Sequence, residues 1–193
     1  MSETRPEPTS VVFLDVDGVL LPERGSEQNQ LRMKFNEQAM ELIVKLAKAA
    51  FASIVLSSEW RLGDTLAQAK ESMKQYGASE ELLDLIVDRT PVDGAGRFRY
   101  KQSKLVKPEN IPKIMRNGEI NQYLADNSVG KYIIIDDITQ ELFSQDNRER
   151  LVRVDAAVGF TEENYQDALD KFEAQRVNLE PTNSAVSLTP PQS

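Results

Sequence analysis

The chain has 193 residues, 40% of them hydrophobic and 28% charged, with a formal net charge of −8 at pH 7. That suffices for one domain of ordinary size with a real core and is short for two. It contains no cysteine and no histidine, which excludes disulfides, thiol nucleophiles, thiolate metal sites, Ser-His-Asp and Cys-His catalysis and an imidazole base.

Any chemistry must therefore run on carboxylates, hydroxyls, Lys, Arg or Tyr. The negative balance speaks against a broad nucleic-acid footprint, which rests on Lys and Arg neutralising phosphates, but not against a small basic pocket. No apolar run approaches the roughly 18–20 residues of a membrane span, and the first residues lack the apolar stretch of a signal peptide. The expected location is the cytoplasm.

Polar, Pro-containing residues 1–10 and the Pro-, Ser-, Thr- and Asn-rich residues 175–193 read as disordered tails around a domain at 11–174. The first strand is expected at Val11–Val16, an almost continuous apolar run suited to burial on both faces. A helix follows at about Asn36–Ala50, with Asn36 as cap and Met40, Ile43, Val44 and Leu46 as its inward stripe. The second strand, Ser53–Ser57, leads to a helix at about Glu59–Gln75, then a helix from about Ser79 and a weak strand at Leu85–Arg89.

Residues Pro91–Pro112 read as a long loop or small hairpin carrying Arg97-Phe98-Arg99-Tyr100-Lys101. A helix at Asn117–Asp126, a strongly apolar strand at Lys131–Ile135, a short strand at Leu151–Val154 and a helix capped by Thr161 and running to about Glu173 complete the chain. Short β-branched runs alternating with stretches of helical period predict an α/β fold, a Rossmann-like three-layer sandwich around a central, mainly parallel five-stranded sheet.

Three of these strands end in polar residues: Asp15-Val16-Asp17-Gly18, then Ser57-Ser58, then Asp136-Asp137. In open α/β sheets, ligands bind at that edge, and right-handed crossovers gather the three ends at one place. Four converging carboxylates would resist ionisation together unless a cation sat among them. With neither His nor Cys present, Mg²⁺ and its oxygen ligands fit better than zinc, with Asp15, Asp17, Asp136 and Asp137 as the candidate metal residues. Asp15, rigid at its strand's end, suits a carboxylate nucleophile that passes through an aspartyl-phosphate, and Asp17 suits the acid/base.

The run Val12-Phe-Leu-Asp-Val-Asp-Gly-Val-Leu20 resembles the first motif of the haloacid dehalogenase (HAD) superfamily, and Ser57 and Asp136-Asp137 fall where its second and fourth motifs belong. Leu56-Ser-Ser-Glu-Trp-Arg61, Arg116-Asn-Gly-Glu-Ile120 and Gly159-Phe-Thr-Glu-Glu163 are similar to one branch, the small HAD domain described in association with RNA-repair proteins. The resemblance spans Val11 to Phe172. It implies Asp15 as nucleophile, Asp17 as acid/base with its backbone carbonyl on Mg²⁺, Ser57 as a phosphate-binding hydroxyl, and Asp136 or Asp137 completing the metal site. It implies as well a third-motif cation, for which Arg116 is the choice and Lys113 the runner-up.

The candidate substrate contacts are Gly18, Ser57, Ser58, Arg61 and Arg116. Each has a plainer reading beside the functional one. Gly18 can be a necessity of its turn, Ser57 the N-cap of the helix near Glu59, Trp60 packing rather than base stacking, Arg61 or Arg116 a solvated surface arginine, and Arg97–Lys101 a solvated hairpin. About twenty residues after Gly18 suffice for a flap but not a cap domain. In this family an open site goes with a phosphate on a macromolecule, so the expected substrate is a phosphoprotein or a nucleic-acid end, with no obligate protein partner indicated. The alternative is a non-catalytic phosphate-binding module that recruits phosphorylated partners.

Overall fold

The computed structural model describes residues 9–22, 34–61, 65–92 and 111–177, without the side chains of 111–114 and 177. In chain order these residues form β1 (Thr9–Leu14), α1 (Glu37–Ala49), β2 (Ala52–Leu56), α2 (Leu66–Gln75), α3 (Glu80–Leu85), β3 (Ile86–Arg89), α4 (Ile111–Asp126), β4 (Val129–Asp136), α5 (Gln145–Glu149), β5 (Leu151–Arg153) and α6 (Glu162–Val177). The five strands make one sheet in the order β3-β2-β1-β4-β5, every neighbouring pair parallel. The expected α/β sandwich is thus what forms, with β1 at its centre.

Period-two alternation along β1 sorts its side chains between two cores. Val12 and Leu14 join Ile54, Leu56, Ile133 and Ile135 against Met40, Ile43 and Leu46 of α1 and Ala168 and Phe172 of α6. Val11 and Phe13 face the other way, with Val55 and Ile134, against Ile120 and Tyr123 of α4. Phe13 meets Tyr123 edge-on at 5.5 Å and Tyr132 at 5.8 Å. Each fully buried aliphatic or aromatic side chain contributes about 1.5–3 kcal/mol, so helices on both faces hold the central strand rigid.

Asn36 caps α1, its side chain accepting the Ala39 N–H at 3.2 Å, and its own N–H bonds Leu20 O at 2.8 Å. That second bond ties the start of the helix to the turn that leaves β1. Among the described residues no helix is long and apolar enough to cross a membrane.

Three elements differ from the sequence reading. The helix expected from Glu59 is a single 3₁₀ turn at Glu59–Arg61, and α2 begins only at Leu66, where Thr65 and Gln68 form a reciprocal capping box. α4 begins at Ile111 rather than near Asn117. Pro112 lies in its first turn, where the missing N–H costs nothing, and Gly118 interrupts the periodic signal without ending the helix.

α6 runs to Val177. Gln175, assigned by composition to the tail, accepts from Tyr132 N at 3.1 Å and donates to Tyr132 O at 2.9 Å, serving backbone groups that the three-residue β5 is too short to reach. The expected flap after Gly18 and the aromatic-basic stretch Arg97–Lys101 fall largely or wholly in 23–33 and 93–110, outside the described residues, as do 1–8 and 178–193 of the expected tails.

Among the described residues, one non-glycine position has a strained backbone. Phe51, between α1 and β2, has φ of 49° and is 88% exposed. A side chain with a Cβ is disfavoured in this left-handed region by roughly 1–2 kcal/mol, and an exposed ring offsets little of that. Phe51→Gly should therefore stabilise the fold by about 1 kcal/mol, raising Tm by roughly 2–4 °C in a thermal melt. A lower Tm would show that the ring contributes more than the strain costs.

Candidate active site

β2, β1 and β4 are adjacent, so the residues leaving their C-terminal ends are neighbours. Sheet-type bonds continue past the strands: Asp15 N–H to Ile135 O at 3.0 Å, Ser57 N–H to Leu14 O at 2.8 Å, and Val154 N–H to Asp136 O at 3.0 Å. The tips therefore share the rigidity of the sheet. One carboxylate oxygen each from Asp15, Asp136 and Asp137 lies within 4.8 Å of the others.

Arg116, one turn into α4, closes this group from the side. It is 4% exposed, and its Nη1 lies 2.5 Å from Asp136 Oδ2 and 3.1 Å from Asp15 Oδ1. Asp136 is fully buried, and its Oδ1 accepts the Ile138 N–H at 3.0 Å. Burial pushes the Asp136 carboxyl above its ordinary value, with Asp15 and Asp137 adding to the rise, while Arg116 and the Ile138 bond pull it down. Burial alone would lower the Arg116 pKa, but the charges of Asp136 and Asp15 hold it above the usual value.

A single guanidinium does not balance three clustered carboxylates. The donor set is oxygen only and spaced closely enough to hold a metal ion, which fits a hard divalent cation. Gly18 makes room for the Asp137 side chain: at φ 76°, a Cβ here would lie 3.0 Å from both Cγ and Oδ2 of Asp137. Its role is thus a turn and a close approach, which the plainer reading of Gly18 anticipates.

Asp17 is placed differently from the other three. Its carboxylate is outside the cluster and accepts the Trp60 indole N–H, with both oxygens 3.0 Å from Nε1. The structure therefore does not bring its side chain together with the other candidate metal residues. Desolvation is the largest influence raising its pKa, followed, after the opposing Trp60 bond, by the charges of Asp15, Glu59 and Asp137.

Ser57 is buried, and its Oγ is, among the described residues, the buried side-chain polar atom with no hydrogen-bond partner. It does not cap the following turn. Ser58 does, accepting the Trp60 N–H at 3.4 Å, and Ser58 is fully buried, so the structure turns this candidate substrate contact back onto its own segment.

Arg61 is likewise a correction. It is completely buried rather than reaching substrate or solvent, with its guanidinium bonded to Glu119, to Ser58 O and, at 3.1 Å, to Thr90 O. Glu119 lies one helical turn after Arg116 on α4, and its charge is also felt by Arg116. The Arg61–Glu119 pair thus clamps the segment after β2 to the helix that carries the site's cation.

The sequence reading missed Glu119 and the Trp60–Asp17 bond. The only local hint of the first is the i, i+3 spacing of Arg116 and Glu119 on one helix face. The side chain of Lys113, the alternative cation, lies outside the described residues.

Residues 11–165 match the family described as the HAD domain in Swiss Army Knife RNA repair proteins. The chain belongs to this family. Membership supports a HAD-type phosphohydrolase, in keeping with a carboxylate cluster able to hold a metal ion. No curated protein and no solved structure matches the chain.

The clamp can be tested by stability. Removing one partner of a buried ion pair leaves the other charged and unpaired, at roughly 3–5 kcal/mol. Arg61→Met should cost about that much in urea denaturation, and the Arg61→Met/Glu119→Met double variant clearly less than the sum of the two single losses. Additive losses would show that the pair is not coupled.

Proposed function

We propose that this HAD domain is a Mg²⁺-dependent phosphatase that hydrolyses phosphomonoesters through an aspartyl-phosphate on Asp15. The observation that carries the reading is the convergence of Asp15, Asp136 and Asp137 around one point, with Arg116 buried beside them. A structural role alone gives no reason to crowd three carboxylates at a sheet edge. Asp15, Asp136 and Asp137 would hold the ion, which supplies charge neutralisation for the substrate's phosphate and for the nucleophile.

The chain's own groups then divide the work. A carboxylate oxygen of Asp15 forms a bond to phosphorus as the bond to the leaving oxygen breaks, and Asp17 gives that oxygen its proton. In the second half, Asp17 takes a proton from water as the water oxygen attacks phosphorus, and Asp15 leaves as a carboxylate with inorganic phosphate as product. Ser57 Oγ, buried without a partner at the neighbouring strand tip, is the donor for a phosphate oxygen. Arg116, with its Nη1 3.1 Å from Asp15 Oδ1, orients that carboxylate.

The substrate we infer is a phosphate exposed on a macromolecule. RNA ends come first, because the matched family is described from RNA-repair proteins. A net charge of −8 suits recognition of a terminal phosphate better than of a long backbone.

Purified protein should release phosphate from p-nitrophenyl phosphate only when Mg²⁺ is present, and Asp15→Asn should reduce the rate by at least about 10³-fold. Turnover in EDTA, or unchanged turnover in Asp15→Asn, would contradict the mechanism. End-phosphorylated RNA should be a better substrate than phosphopeptides, and the reverse order would move the assignment to phosphoproteins.

A further inference from the structure

Trp60 is the chain's single tryptophan. Its ring packs 5.4 Å from Phe35 and edge-on at 4.8 Å from Tyr76, against the core beneath α1 and α2. Its backbone sits in the short turn at Glu59–Arg61, between the Ser58 hydroxyl, which accepts its N–H, and the buried Arg61. Packing accounts for the ring, and Phe or Leu would serve that purpose as well.

Packing does not account for the indole N–H. This group can only donate, and it lies 3.0 Å from each oxygen of the Asp17 carboxylate. A donor shared evenly between both oxygens restrains the carboxylate's position as well as its orientation. The restraint has a purpose, because the Asp15, Asp136 and Asp137 carboxylates make a site that would draw a fourth towards any bound cation.

We propose that Trp60 is a positioning residue for Asp17, holding its carboxylate apart from the Asp15–Asp136–Asp137 cluster and ready to exchange a proton with the substrate's leaving oxygen. The inference rests on the phosphatase reading, in which Asp17 is the acid/base. It links the second strand tip to the first, since the segment after β2 that carries Ser57 also carries the group that holds Asp17.

The test uses Trp60→Phe, which keeps a ring and removes the N–H. In kcat/KM, which reports on steps up to the first displacement, loss of acid positioning should fall most heavily on the poorer leaving group. The variant should lose about tenfold more on phenyl phosphate than on p-nitrophenyl phosphate. An equal loss on both, as damage to packing would give, or no loss on either, would overturn the proposal.

A second measurement needs neither turnover nor a folded Trp60 variant. The lone indole ¹H–¹⁵N resonance of the otherwise native chain should move towards the position of a free indole in Asp17→Ala, and an unmoved resonance would overturn the contact. Wild-type protein inactive on every phosphate ester, with the resonance moving as expected, would overturn the phosphatase reading and, with it, the catalytic part of this inference.

Discussion

The structure is organised around one electrostatic constraint: three carboxylates held close together at neighbouring strand tips, with one buried guanidinium among them. Like charges at this spacing are costly where water is scarce, and Asp136 is fully buried. The arrangement is stable only because the sheet fixes the backbone beneath it and Arg116 offsets part of the charge. The remaining imbalance makes the site receptive to a divalent cation.

The surrounding fold serves that constraint in layers. Helices on both faces bury β1, so that Asp15 emerges from a strand packed on both sides. α4 carries Arg116 into the cluster and, through Glu119, takes hold of Arg61 in the segment after β2. Trp60, next to Arg61 in that segment, reaches Asp17. A short stretch of chain, Ser57 to Arg61, thereby joins a partnerless hydroxyl, an acid/base restraint and a buried ion pair, while Gly18 lets the loop after β1 lie against Asp137.

Much of this was legible in the sequence because it depends on local pattern. The apolar run before Asp15, the runs ending at Leu56 and Ile135, and the helical stripe of α1 each declare their own structure, and parallel pairing then brings the acidic tips together. Local pattern fails where a helix hides its start, as Pro112 and Gly118 do in α4, and where a polar residue is held by a distant backbone, as Gln175 is by Tyr132. It fails for pairings across the fold as well. Arg61 and Glu119 are 58 residues apart and Trp60 and Asp17 are 43 apart, so neither pair leaves a trace in spacing. The Thr65–Gln68 capping box falls inside the helix expected at about Glu59–Gln75, so that reading passed over the true start of α2.

The central claim concerns charge, and binding of the ion alone addresses it most directly. Calorimetric titration of Mg²⁺ into the substrate-free protein should show one site per chain, with affinity falling at least about tenfold in Asp137→Asn, which removes one charged oxygen ligand while preserving the side chain's shape. No binding to the wild-type protein, or equal binding to wild type and Asp137→Asn, would contradict the account.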